Sequence, residues 1–280
     1  MLSSKIKAAI IDLYNNEDNQ GIRCLKDILN ETECKLKNIE FEYDLFDLRY
    51  KNEIPDISYD IFISSGGPGS PFEGEGKEWE KKYFLLMDKI ISHNNGNNYQ
   101  KKYVFFICHS FQMMARYFRF AEVNKRREKS FGIYPTHKTA EGEKDILFES
   151  LKNPFVIADF RDWQVVQPNE KIMKDMGAKI LTLEKVRPHV DYERAIMSVR
   201  LSDEIVGTQF HPEADAASMY YHFRKPERKE YVVSNFGEAK YYEMLGYLED
   251  ENGILLTKKT VLPNFLKNAV GKLRPEAEAA

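Results

Sequence analysis

An α/β fold with an open, mostly parallel central sheet flanked by helices is predicted for this 280-residue chain by three observations. Short apolar runs alternate with stretches of helical periodicity through the first 120 or so residues, the pattern of a parallel sheet wrapped by helices. Two of those runs, YDIFI at 59–63 and YVFFI at 103–107, read as buried strands that hand over at once to a turn or a helix. Beyond Phe131 the chain is strand-rich, and after Glu213 its texture becomes charged, tyrosine-rich and helical.

Taken in order, residues 5–13 (KIKAAIIDL) form a mostly buried strand and residues 21–29 a short amphipathic helix. Residues 40–45 alternate apolar and polar side chains, a second strand. The third, 59–63, runs straight into Ser64-Ser65-Gly66-Gly67-Pro68-Gly69. Trp79, Tyr83, Leu86, Met87 and Ile90 fall at helical spacing within 77–91, and HNNGNN at 93–98 reads as a polar loop. The strand at 103–107 is followed by a helix at 111–118. Extended segments follow at 155–158, 178–183, 195–199 and 205–210, with Leu201-Ser202-Asp203 turning between the last two. Residues 214–248 read as helical, 261–270 (VLPNFLKNAV) as a terminal helix with proline near its start, and 274–280 as frayed.

A chain this long can bury a large core, as one domain or one domain plus an extension. The division expected is 1–213 as the main domain and 214–280 as an extension packed on it. Apolar residues make up 42% and charged residues 30%, as in ordinary globular proteins, and a net charge of −3 gives no basic excess for nucleic acid. The cluster Lys125-Arg126-Arg127 reads as a solvated loop or helix end. Three cysteines, Cys24, Cys34 and Cys108, argue against a disulfide framework and for a reducing compartment. No apolar run is long enough to span a bilayer, and residues 1–8 are too polar for a signal peptide, so the cytoplasm is the expected location.

Three short motifs carry the chemistry. Cys108 sits where a buried strand passes into a helix, at the sheet edge where open α/β sheets place ligands. A helix N-terminus there favours a thiolate, and the His109 amide is placed for an oxyanion. Alone, Cys108 reads as readily as a small buried residue. The glycines of Gly66-Gly67-Pro68-Gly69 let the chain turn tightly and bring an N–H close to a ligand, although alone they make an ordinary turn. His211-Pro212-Glu213 follows an apolar strand, and Glu213 can return to hold His211 in one tautomer. Alone it is a solvent-facing histidine beside a turn. In this order, each at a strand end, the three supply oxyanion donors, nucleophile, base and orienter. His93, His137, His189 and His222 are poorer candidates for the base, and the side chain of His109 should point away from Cys108. No Cys/His grouping has metal-ligand spacing, so no metal is expected, and no cofactor is implied.

These residues resemble class I, triad-type glutamine amidotransferases, which include the glutaminase part of GMP synthase. The resemblance runs from about Lys5 to Glu213, with Asn264-Phe265-Leu266 fitting the last helix. It implies a flavodoxin-like α/β fold and a triad of Cys108, His211 and Glu213. It further implies oxyanion donors at Gly67 and His109, and a substrate seat including Gln112 and Gly66. The implied reaction is attack of Cys108 on the glutamine side-chain amide, with ammonia passed to a synthetase. No ATP-binding motif and too little chain remain for a synthetase domain, so a separate synthetase partner is implied. Phe106 and Ser110 stand where the family usually has glycine; Phe106 is expected to narrow the pocket or change packing beneath the nucleophile. The segment 214–260 is longer than the family usually shows and is expected to pack on the core, or else to form a partner surface or a lid over the site. The triad would equally serve a stand-alone γ-glutamyl amide or peptide hydrolase, and a catalytically silent regulatory module is the third reading.

Overall fold

The computed structural model describes residues 4–36, 38–96, 98–187, 193–250 and 253–275. Its strands, β1 (Ser4–Asp12), β2 (Ile39–Asp47), β3 (Ile61–Ser64), β4 (Tyr103–Ile107), β5 (Ala121–Lys138), β6 (Phe155–Pro168), β7 (Lys179–Glu184), β8 (Ile196–Arg200) and β9 (Ile205–Thr208), form one sheet in the order β2-β1-β3-β4-β9-β8-β7-β5-β6. The first five strands in that order pair in parallel, and the remaining pairings are antiparallel. The helices are α1 (Gly21–Glu33), α2 (Leu48–Lys51), α3 (Glu78–Asn95), α4 (His109–Phe118), α5 (Glu170–Met176), α6 (Ala216–Phe223), α7 (Pro226–Phe236), α8 (Glu238–Glu249) and α9 (Ile254–Leu273). This is the open α/β sheet flanked by helices expected from the sequence.

Alternation along β1 shows how the sheet is sandwiched. Ile6, Ala8 and Ile10 face α1 and α9, meeting Leu25, Ile28, Phe265 and Leu266. Ala9 and Ile11 face the other way, toward Tyr83, Leu86 and Ile90 of α3 and Phe111 and Met114 of α4. Each isoleucine, leucine, phenylalanine or methionine among them contributes roughly 1.5–3 kcal/mol when taken out of water. A third cluster joins Phe131 and Ile133 of β5 and Ala158 of β6 to Phe223, Val232, Tyr241 and Met244 of α6–α8.

Some expectations change. The basic cluster Lys125-Arg126-Arg127 lies in β5, not in a solvated loop or helix end. Residues 126–129 face only Asp162 of β6, and in this irregular stretch Arg126 turns inward to Gln164 (2.8 Å) and Glu184 (3.0 Å). β6 runs ten residues past the expected 155–158 (158 to 168), because its polar half pairs with β5. Residues 93–95 of the expected polar loop belong to α3. Pro263 sits inside α9 and not near its start, because α9 begins at Ile254; the buried face through Val261, Leu262, Phe265 and Leu266 holds the helix past the proline. The expected helical stretch 214–248 is three helices, broken at Lys225 and Gly237, where Gly237 adopts a φ of 85°.

Candidate active site

The carboxyl ends of β1, β3, β4 and β9 open onto one cleft, to which they bring Tyr14, Gly67, Cys108 and His211. The strand order reverses beside β1, so the loops after β1 and β3 diverge and leave this space between them.

Cys108 is the hinge between β4 and α4, with φ 48° and ψ −98°. A non-glycine residue in that region is strained and persists only when its surroundings fix it. They do so on both sides. The Cys108 amide donates to Thr208 O (2.8 Å) and the Gln112 amide to Cys108 O (3.0 Å). Buried Ser110 accepts from the Ile107 amide (2.7 Å) and donates to Ser64 O (2.8 Å), tying the hinge to the end of β3. Cys108 is 4% exposed, and its Sγ lies 3.6 Å from Phe160 O and 3.7 Å from Gln209 Nε2.

His211 follows β9 and is fixed to β6 through its amide, which donates to Ala158 O (2.9 Å). Its Nδ1 lies 2.8 Å from Oε1 of buried Glu213, so Nδ1 carries a proton and Nε2 is left for the Cys108 side. Burial pushes the imidazolium pKa down. The charges of Glu213 and of a Cys108 thiolate, with a side-chain hydrogen bond to each, override burial and hold His211 well above its ordinary value. The structure brings Cys108, His211 and Glu213 together.

The glycine turn lies against this group. A Cβ on Gly66 would come within 2.6 Å of His211 Cε1 and 3.5 Å of Cys108 Cβ, so only glycine lets the loop approach so closely. Gly67 lines the cleft beside Cys108. The amide of His109 is at the first turn of α4, where N–H groups have no intrahelical acceptor. The His109 ring points away from the cleft, as anticipated. Burial, then the neighbouring Arg49 and Arg116 charges, lower its pKa to about 3, so it is neutral. Gln112 lines the cleft, with Nε2 donating to Trp163 O (3.3 Å) and Gln209 Oε1 (3.2 Å).

Phe106 does not narrow the cleft. It is fully buried beneath the hinge in the core shared with α3 and α4, paired across the sheet with Gly207. A Cβ on Gly207 would stand 3.1 Å from Phe106 Cβ, so the bulk gained on β4 is matched by its loss on β9.

Other residues reach the cleft without a signal in the motifs. Tyr14 enters from the end of β1, and Phe160, Arg161 and Trp163 from β6. Gln209, inside the third motif, faces the nucleophile rather than merely preceding the histidine. His222, a poor candidate on sequence because its segment is so charged, stands in the cleft wall with its ring 5.8 Å from that of Phe160. Burial and the nearby Arg228 and Lys225 lower its pKa to about 4. His189 lies outside the described residues.

The family model for class-I glutamine amidotransferases matches residues 13–223. The chain belongs to that family. No curated protein matches it significantly. Among solved structures it resembles a glutamine amidotransferase from Thermotoga maritima at 18% identity, with a TM-score of 0.68 over 95% of this chain and 98% of the other. A putative GMP synthase subunit from Thermoplasma acidophilum follows at 14% identity, TM-score 0.54, over 98% and 96%. The glutaminase domain of Trypanosoma brucei CTPS, with bound acivicin, aligns at 11%, TM-score 0.57, over 96% and 94%. These likenesses show a shared fold. The amidotransferase fold supports hydrolysis of the glutamine amide as a class of chemistry. No helix among the described residues is long and apolar enough to cross a membrane.

Proposed function

We propose that this chain is a glutaminase of the amidotransferase type, in which Cys108, His211 and Glu213 cleave the side-chain amide of glutamine. The observation that carries this reading is His211 held between buried Glu213 and Cys108, with its pKa raised by both. The thiolate attacks the carbonyl carbon of the side-chain amide, Cδ, and the carbonyl π pair moves to oxygen, which accepts hydrogen bonds from the Gly67 and His109 amides. As the tetrahedral intermediate collapses, the C–N bond breaks and His211 gives its Nε2 proton to the leaving ammonia. Water then loses a proton to His211 and attacks the thioester, releasing glutamate and restoring the thiolate. Gln112 and Gly66 seat the substrate, Gln112 through an amide already oriented by Trp163 O and Gln209.

Residues 1–213 carry this chemistry, and 214–280 form an extension that walls the cleft through Tyr221 and His222 of α6, Lys225 before α7 and Arg228 of α7. Ammonia passes to a separate synthetase partner. Three free cysteines suit a reducing compartment, and the cytoplasm is the location this reading assigns. A second reading, a γ-glutamyl amide or peptide hydrolase, is favoured by one feature. The leaving nitrogen must lie at His211, and the cleft continues beyond it to Tyr221, Lys225 and Arg228, room that ammonia does not need.

The test is release of glutamate and ammonia from glutamine by the wild type and by Cys108→Ala. Release abolished by the substitution supports the reading. Release that persists in the variant contradicts it. No release from glutamine, with Cys108-dependent cleavage of γ-glutamyl amides, selects the hydrolase.

A further inference from the structure

The peptide bond that carries the Gly67 amide is held from behind. Buried Ser65 accepts a hydrogen bond at Oγ from the Leu13 amide (2.9 Å) and donates its own proton to Gly66 O (2.8 Å). The Ser65 amide donates to Ile11 O (3.0 Å), so residue 65 is fixed to the end of β1 through backbone and side chain alike. In a planar trans peptide the C=O of Gly66 and the N–H of Gly67 point in opposite directions. Fixing the oxygen therefore fixes where the N–H points.

Arg49 of α2 completes the hold. Its side chain is 3% exposed, and Nη1 donates both to Leu13 O (2.9 Å) and to Pro68 O (2.8 Å), while Nη2 pairs with Glu73 of the same loop. One side chain thus bridges the residue after β1 and the Pro68–Gly69 peptide, one residue beyond Gly67. The spacing is tight: a Cβ on Gly67 would fall 2.3 Å from Leu13 O and 3.1 Å from Arg49 Nη1. Ser65 and Arg49 are not among the residues that line the cleft.

We propose that Ser65 and Arg49 are positioning residues of the oxyanion site, orienting the Gly66–Gly67 peptide so that its N–H faces the oxygen of the carbonyl attacked by Cys108. The inference rests on the glutaminase reading above. An amide that can rotate away in the ground state must be reoriented as the oxyanion forms, and that cost falls on the chemical step rather than on substrate binding.

The experiment compares wild type, Ser65→Ala, Ser65→Thr and Arg49→Lys by glutamine kinetics and by the pH profile of Cys108 alkylation with iodoacetamide. Ser65→Ala is expected to lower kcat by on the order of 10- to 100-fold with KM within about twofold, because one donor is misaimed rather than removed. Ser65→Thr, which keeps the hydroxyl, should recover most of that loss. The alkylation profile should not move, since the thiolate and His211 are untouched; a general loosening of the site would shift KM and the profile together. Should Ser65→Ala fail to fold, Arg49→Lys must show the same selective fall in kcat. Folded variants with wild-type kcat, or with an alkylation profile that shifts in step with kcat, overturn the inference. A wild type that neither hydrolyses glutamine nor is protected by it from alkylation overturns the underlying reading, and the inference with it.

Discussion

Glu213 matters through what it does to His211. Its Oε1 accepts a hydrogen bond from Nδ1, and its charge, buried at 2% exposure, helps raise the pKa of His211 against the push of burial. Glu213→Gln keeps a hydrogen-bond acceptor but removes the charge. The pKa of His211 should then fall, and the alkaline limb of the activity profile should move to lower pH. A loss of kcat on the order of 10²-fold is expected, read from kcat against pH. Cys108 and the pair His211 and Glu213 were candidates in the sequence because each motif follows an apolar strand, and a strand end in an open α/β sheet is already an address. Tyr14, Gln209 and His222 were not. Their place in the cleft depends on which loops meet across the sheet, and nothing local in their neighbourhoods records it.

At the scale of elements, β1, β3 and β4 were read closely because they are largely buried on both faces and stand out as apolar runs, and the edge strand β2 because it alternates. The antiparallel half was read only in part. β5 starts with the polar run Ala121–Lys129, whose charges look like solvent-exposed loop. Its stability lies in contacts between strands: Arg126 and Arg161 meet Glu184, and Arg161 meets Asp159 at 2.9 Å. Such a buried ionic group is invisible one segment at a time. Pro263 misled in the same way, since it marks a helix start only when no tertiary packing overrides it. That packing is testable. Phe265 is 3% exposed on α9, its ring 5.1 Å from that of Phe105 on β4. Phe265→Ala should cost about 3–5 kcal/mol in denaturant unfolding. The α9 face lies across the sheet from α4, so activity per folded molecule should stay close to that of the wild type.

For the whole molecule, three histidines set opposing demands on pH. His109 and His222 are held neutral in the folded chain, with pKa values of about 3 and about 4 against an ordinary 6.5. Below pH 6.5 the unfolded chain binds protons that the folded chain refuses, so stability falls on acidification until those folded values are reached. His211 acts in the other direction. Its folded pKa is raised, so its contribution is fully present below 6.5 and is lost as pH rises through the folded value. Thermal unfolding followed from neutral pH down to about pH 4 should show a falling Tm in the wild type and a shallower fall in His109→Leu. An equal slope in both would mean that the buried His109 ring is charged in the fold.

The central claim is that Cys108 becomes acylated, and the most direct measurement is mass spectrometry of peptides from protein quenched with acid during turnover of glutamine. The account predicts a peptide containing Cys108 heavier by one γ-glutamyl group, labile to hydroxylamine and absent from Cys108→Ala. Glutamate release with Cys108 unmodified, or with the γ-glutamyl group on another residue, would contradict it.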